Sequence, residues 1–154
     1  MIRNNKRIIF KLSKEPTYNG RSLEIGVVGD KVFPAFDRIT YTRVELDSLV
    51  PEESQFDAIF ITEDAFLQAD NVKYVPFFNQ VLYPIYFIGM EDHMSFAFTF
   101  EEITLDMAKN ENSAYIQGIK NEADGTRKNW GVYREHSETM KELLLILFND
   151  PFLH

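Results

Sequence analysis

The chain has 154 residues, of which 45% are hydrophobic and 26% charged, with 14 Phe, 7 Tyr and no Cys. That length suits one domain burying roughly two thirds of its unfolded surface, the aromatic content excludes a disordered chain, and the missing cysteine excludes disulfides, thiolate zinc sites and cysteine nucleophiles. The formal net charge is −8, with residues 1 to 14 holding five basic side chains (Arg3, Lys6, Arg7, Lys11, Lys14) and no acid, against 11 basic and 24 acidic in the remainder.

An anionic body repels phosphate backbones, which argues against nucleic acid as a partner. No apolar run approaches the roughly 18 residues of a transmembrane segment; the longest, Val81 to Met90, is strand-sized. Behind the basic start only Ile8, Ile9, Phe10 and Leu12 are apolar, too few for a secretory signal. As written the chain reads as cytoplasmic, and an extracytoplasmic protein whose leader had been removed would read the same way. With no linker or repeat, residues 1–154 form one expected domain, residues 1–20 being a basic arm or edge strand.

In chain order, Lys6 to Leu12 alternates as a strand does, and Leu23-Glu-Ile-Gly-Val-Val28 is a second strand ending in Gly29-Asp30. Ile39 to Leu46 is rich in β-branched residues. Phe56 to Thr62 and Tyr83 to Gly89 are nearly continuous apolar runs, the mark of parallel strands covered on both faces. Between them Asp64 to Gln80 reads as a helix capped by Asp64 and kinked or split by Pro76, completing a right-handed βαβ unit. Phe96, Phe98 and Phe100 alternate, and Thr99-Phe-Glu-Glu102 fits a capping box opening a short helix to Ala108. Ala114 to Lys120 and Asn129 to Arg134 flank an Asp124-Gly125 turn as an antiparallel hairpin. Thr139-Met-Lys-Glu142 is a second capping box, followed by a helix with Leu143, Leu144, Ile146, Leu147 and Phe148 on its apolar face. The expected fold is α/β: a mainly parallel central sheet of the Rossmann-like or flavodoxin-like three-layer kind, with a C-terminal antiparallel hairpin and terminal helix.

The parallel strands end in acids: Asp30, then Glu63 and Asp64, then Glu91, Asp92 and His93. Ligands of open α/β sheets bind beyond the carboxyl ends of the strands, where strand order reverses. Carboxylates converging there would suit Mg²⁺, a hard cation that prefers oxygen. Acids after strands also serve as caps and turn residues, the duller reading. Related chemistries fail on inspection. A receiver domain needs paired acids after its first strand, and an aspartate-nucleophile phosphatase needs two acids around one residue, whereas here Asp30-Lys31-Val32 follows. No phosphate loop, dinucleotide glycine motif, nucleophile elbow or His-Glu-x-x-His is present. The aromatics offer a different chemistry. Phe96, Phe98 and Phe100 could line an apolar slot, and Tyr115, Trp130 and Tyr133 could form a partner surface. Alternation places Trp130 with Val132 on one face and Tyr133 on the other, with Trp130 expected inward.

Through Phe56-Asp-Ala-Ile-Phe-Ile61, the Tyr74 helix, Tyr83-Pro-Ile-Tyr-Phe-Ile-Gly89 and Trp130-Gly-Val-Tyr133, residues 23 to 148 resemble a group of small bacterial α/β proteins, some of them lipoproteins. The lipobox cysteine of those members is missing here. The resemblance transfers no catalytic residue and implies a binding role. Two readings result: a non-catalytic domain binding a protein or small molecule, with no cofactor, or a Mg²⁺-assisted enzyme acting on a small phosphorylated or polar substrate at the strand ends.

Overall fold

Leu23–Val28 forms β1, five of its six residues buried, because its neighbours on both sides are strands and both of its faces are covered. The other strands are β2 (Ile39–Arg43), β3 (Ala58–Thr62), β4 (Ile85–Ile88), β5 (Ile116–Asn121) and β6 (Arg127–Val132). This computed structural model describes residues 17–135 and 138–154; the strand expected over Lys6 to Leu12 lies outside them. Within them the sheet order is β2-β1-β3-β4-β5-β6. β1 runs parallel to β2 and β3, and β3 parallel to β4, while β5 is antiparallel to both β4 and β6. The sheet is therefore mostly parallel with an antiparallel C-terminal pair, as the apolar runs and the hairpin signal require. The chain leaves β1 for the outer β2 and then returns past it to β3, so the order reverses between β1 and β3.

Side-chain alternation sends the inner strands β1, β3, β4 and β5 into two apolar layers. One holds Ile25, Val27, Phe60, Tyr86, Ile88 and Ile116 against Phe33, Phe36 and the terminal helix. The other holds Ile59, Ile61, Ile85, Phe87 and Ile119 against residues 65–83 and Phe98. Phe60 is fully buried and meets Phe33, Tyr86 and Phe148 at 5.2, 5.9 and 6.1 Å. Burying such a ring contributes about 1.5–3 kcal/mol.

The crossover between β3 and β4 is not one kinked helix. It breaks into α1 (Phe66–Ala69) and α2 (Val75–Gln80), each led by a 3-10 turn. The break falls at Asp70-Asn71, where the Asn71 side chain accepts the Lys73 amide at 3.0 Å and restarts the chain as a cap does. Pro76 lies in the first turn of α2, where its missing N–H costs nothing. Asp64 is no cap, because its carboxylate is engaged elsewhere, as described below.

Two further expectations are corrected. Residues Ser95–Thr99 form a 3-10 turn rather than an alternating strand, so Phe98 is buried while Phe96 and Phe100 stay exposed. The box at Thr99 does not form, since the buried Thr99 hydroxyl donates to the Phe96 carbonyl at 2.7 Å. A short turn opens instead at Thr104 and covers Leu105–Ala108. The box at Thr139 does form: its hydroxyl accepts the Glu142 amide at 3.2 Å and Glu142 accepts the Thr139 amide at 3.4 Å. It starts α3 (Met140–Asn149), which buries Leu143, Leu144, Leu147 and Phe148 at helical spacing and leaves Ile146 outside. No helix among the described residues is long and apolar enough to cross a membrane.

Candidate functional site

The reversal point between β1 and β3 is polar and tightly bonded. Gly29 turns the chain with φ 120°, a conformation that L side chains rarely adopt, and a Cβ there would overlap the Thr62 hydroxyl. That turn brings the Asp30 amide 2.9 Å from Asp64, whose other oxygen accepts from the Thr62 hydroxyl at 2.5 Å. Both bonds favour the ionised form, led by the Thr62 hydroxyl, and hold the Asp64 carboxyl below the usual range. The Asp30 carboxylate points away to Arg43 at the end of β2, 3.0 Å distant and exposed. Glu63 lies beside Gly89, another turn with positive φ.

The acids after β4 belong to a different neighbourhood. Glu91 pairs with Arg134 at 2.7 Å, and the Arg134 guanidinium sits 4.4 Å from the centre of the Tyr115 ring, within cation–π range. Burial pushes the Tyr115 hydroxyl up despite that nearby cation. Asp92 and His93 line a shallow depression with Lys109, Asn110 and Glu111, and His93 bridges the backbone of Lys109. The strand-end acids thus do not converge: Asp30, Asp64 and Glu91 each hold a separate local partner. Among the described residues no three His, Asp or Glu side chains are grouped to hold a metal ion. The arrangement does not fit a Mg²⁺ site, because Asp30, Asp64 and Glu91 each already have a partner.

The hairpin presents a larger surface. Ile116 lies opposite Val132, and the Tyr115 amide also bonds the Val132 carbonyl at 2.9 Å. Two successive residues therefore face one, the arrangement of a β-bulge. This is why Tyr115 and Ile116 both enter the layer under α3. Trp130 is half-buried on that side, its ring 5.6 Å from Tyr86 and 6.4 Å from Phe152. Tyr133 is 60% exposed. The expected division of the two aromatics therefore holds, with Trp130 inward only in part.

On the opposite face β5 is roofed by residues 90–100 and β6 is not. The buried Gln117 makes the roof: its Oε1 accepts the Ser95 amide at 2.7 Å, and its Nε2 donates to the carbonyls of His93 and Ala114 at 2.8 and 3.0 Å. The roof stops short of β6 and leaves an open groove of about 500 Å³, walled by Met94, Phe96 and Tyr133 and floored by Asn129 and Gly131. Phe100 stands beside it, 6.1 Å from Phe96 and 49% exposed.

No family model, curated protein or solved structure matches this chain. The site is therefore read from its own residues. Tyr133 and Phe96 were visible in the sequence as aromatics. Gln117, Arg43 and Arg134 were missed; only the parity of Gln117, on the same face as Ile119, could have marked it.

Proposed function

We propose that this chain is a non-catalytic interaction domain that takes a polypeptide partner at the groove beside β6. The observation that carries the reading is the exposure of Met94, Phe96, Phe100 and Tyr133 around one concavity on the uncovered face of the last strand. Apolar and aromatic side chains grouped on a polar surface are the usual core of a binding patch. Asp30, Asp64 and Glu91, in contrast, hold local partners, and no three acidic or histidine side chains among the described residues are grouped for a cation, which counts against the Mg²⁺ reading. Parallel strands ordered 2-1-3-4, with β1, β3 and β4 buried on both faces, support a doubly wound, Rossmann-like or flavodoxin-like ancestry with the antiparallel pair appended. The resemblance to small bacterial α/β proteins, lipoproteins among them, agrees with a binding role and suggests a bacterial source.

Display selection of random peptides on the full chain tests this, run beside a thermal-shift panel of Mg²⁺ and phosphorylated metabolites. Selected peptides should lose binding to Phe96→Ser and Tyr133→Ser proteins whose melting temperatures stay near the parent. A metabolite or Mg²⁺ that stabilises the parent but not Asp30→Asn or Asp64→Asn would overturn the reading in favour of the strand-end enzyme.

A further inference from the structure

The β5–β6 hairpin has a fixed hydrogen-bond parity. The Glu122 amide bonds the Thr126 carbonyl at 2.7 Å, in the register that pairs Lys120 with Lys128 and Gly118 with Trp130. Directly bonded pairs alternate along an antiparallel ladder, so the even-numbered residues of β6 bond β5. The amides and carbonyls of Arg127, Asn129 and Gly131 then point outward. Among the described residues no strand pairs with that edge.

Such an edge invites a further strand unless it is blunted by proline, charge or a bulge. β6 contains no proline, and its charge is of one sign. Residues 126–134 hold three cations, Arg127, Lys128 and Arg134, and no carboxylate, in a chain that carries 24 acids against 16 basic residues. Lys128 and Arg134 have exposed partners in Glu122 and Glu91. The half-buried Arg127 meets only the amide oxygens of Asn121 and Asn79, with no carboxylate partner among the described residues. An uncompensated guanidinium on an open edge favours an incoming carboxylate.

The charge decides between occupants. The chain's own residues 1–14 carry five cations and no acid, and the β6 of a second copy is basic too, so both would set like charges side by side. Resting on the interaction-domain reading, we infer that the outer edge of β6 binds an extended acidic segment of a partner protein as an added strand. The added strand would lie about 4.8 Å from β6. Its alternate side chains would then pass over Asn129 and Gly131 into the groove walled by Phe96 and Tyr133, with an acid at the end of that face meeting Arg127 and the acids of the other face meeting Lys128.

The test uses the full chain and a fluorescent octapeptide with Glu or Asp on one face and Ile, Val or Phe on the other, the apolar face ending in one further acid opposite Arg127. Controls are the same peptide with Lys for its acids and a version N-methylated at alternate amides. Fluorescence anisotropy gives affinity, and hydrogen exchange by NMR follows the Asn129 and Gly131 amides. The acidic peptide should bind and slow exchange at both amides, with binding weakened by salt. The Arg127→Glu/Lys128→Glu protein should bind it about tenfold more weakly and come to prefer the Lys peptide. Asn129→Pro removes an outward donor and no β5 bond, so it should abolish binding without unfolding the chain. Equal binding of the N-methylated peptide would overturn strand addition, and equal binding of the Lys peptide would overturn the acidic partner. Exchange at Asn129 and Gly131 already slow in the free chain would show the edge filled, by a second copy if concentration-dependent and by the chain itself if not; either overturns the inference. If display-selected peptides still need Phe96 and Tyr133 while the acidic octapeptide fails, the inference falls and the interaction-domain reading stands.

Discussion

Tyr86 lies on Gly118: a Cβ built on the glycine would come within 3.0 Å of two ring carbons. The ring is fully buried between Phe60, Trp130 and Phe152 and has nowhere to retreat. Gly118→Ala should therefore destabilise the protein by about 1–3 kcal/mol, the cost of overpacking a filled core. Urea unfolding followed by fluorescence measures it, and an unchanged midpoint would mean that the layer under α3 is looser than described.

The hydroxyl of the same Tyr86 reaches no hydrogen-bond partner among the described residues. Burial pushes its ionisation far up, out of the accessible range. Removing a buried polar atom that has no protein partner recovers its desolvation cost. Tyr86→Phe should be neutral or stabilising, by up to about 2 kcal/mol. A loss of stability greater than about 1 kcal/mol would show that the hydroxyl is bonded in solution.

Trp130→Ala tests how far the sequence specifies the hairpin. Alternation placed Trp130 with Val132, and the ladder confirms that face through contacts with Tyr86 and Phe152. A fully buried tryptophan would cost roughly 3–5 kcal/mol on truncation. At the edge strand Trp130 is only half-buried, so we expect about 2 kcal/mol, in proportion to the surface removed from water. A cost near zero, with loss of peptide binding, would move Trp130 from the core to the partner surface. The strands were legible because β3 and β4 are buried on both faces and declare themselves as continuous apolar runs. The Phe96 to Phe100 segment was not, because a 3-10 turn and a strand can show the same short alternation, and only the docking of Phe98 on Phe87, 4.3 Å apart and parallel within 5°, decides between them.

Gln117 carries the part of the site that sequence concealed. One polar residue of β5 holds His93 and Ser95 by two good bonds and Ala114 by a third, and nothing in its neighbours' spacing announces the first two partners, which lie 24 and 22 residues away. Gln117→Leu keeps the volume and strands the Ser95 amide and the His93 carbonyl. The cost should be about 2–3 kcal/mol. Amide exchange at Ser95 should accelerate more than at Phe87 or Ile119, since the groove wall loosens before the sheet does. Uniform acceleration would mean that Gln117 supports the whole domain rather than this wall.

The strand-end acids were legible as a group on one edge, but their pairing was not, because the partners Arg43, Thr62 and Arg134 come from three different elements. Thr62 gives the sharpest test. It is fully buried, and its hydroxyl is the main reason that the Asp64 carboxyl titrates low. A carboxyl whose folded pKa is depressed adds stability above its unfolded pKa, and that stability is lost as pH falls through the folded value. Thr62→Val preserves shape and removes the donor, so the Asp64 titration should move up toward the ordinary carboxylate range. Thr62→Ser should leave it low. The stability gap between parent and Thr62→Val should then be widest near neutral pH and narrow as the solution is acidified below pH about 4. NMR titration of the Asp64 carboxyl carbon checks the first statement and urea unfolding across pH the second. An Asp64 that titrates identically in the valine variant would mean that the Asp30 amide alone holds the charge, and that the polar knot at the reversal point is built on the Gly29 turn rather than on Thr62.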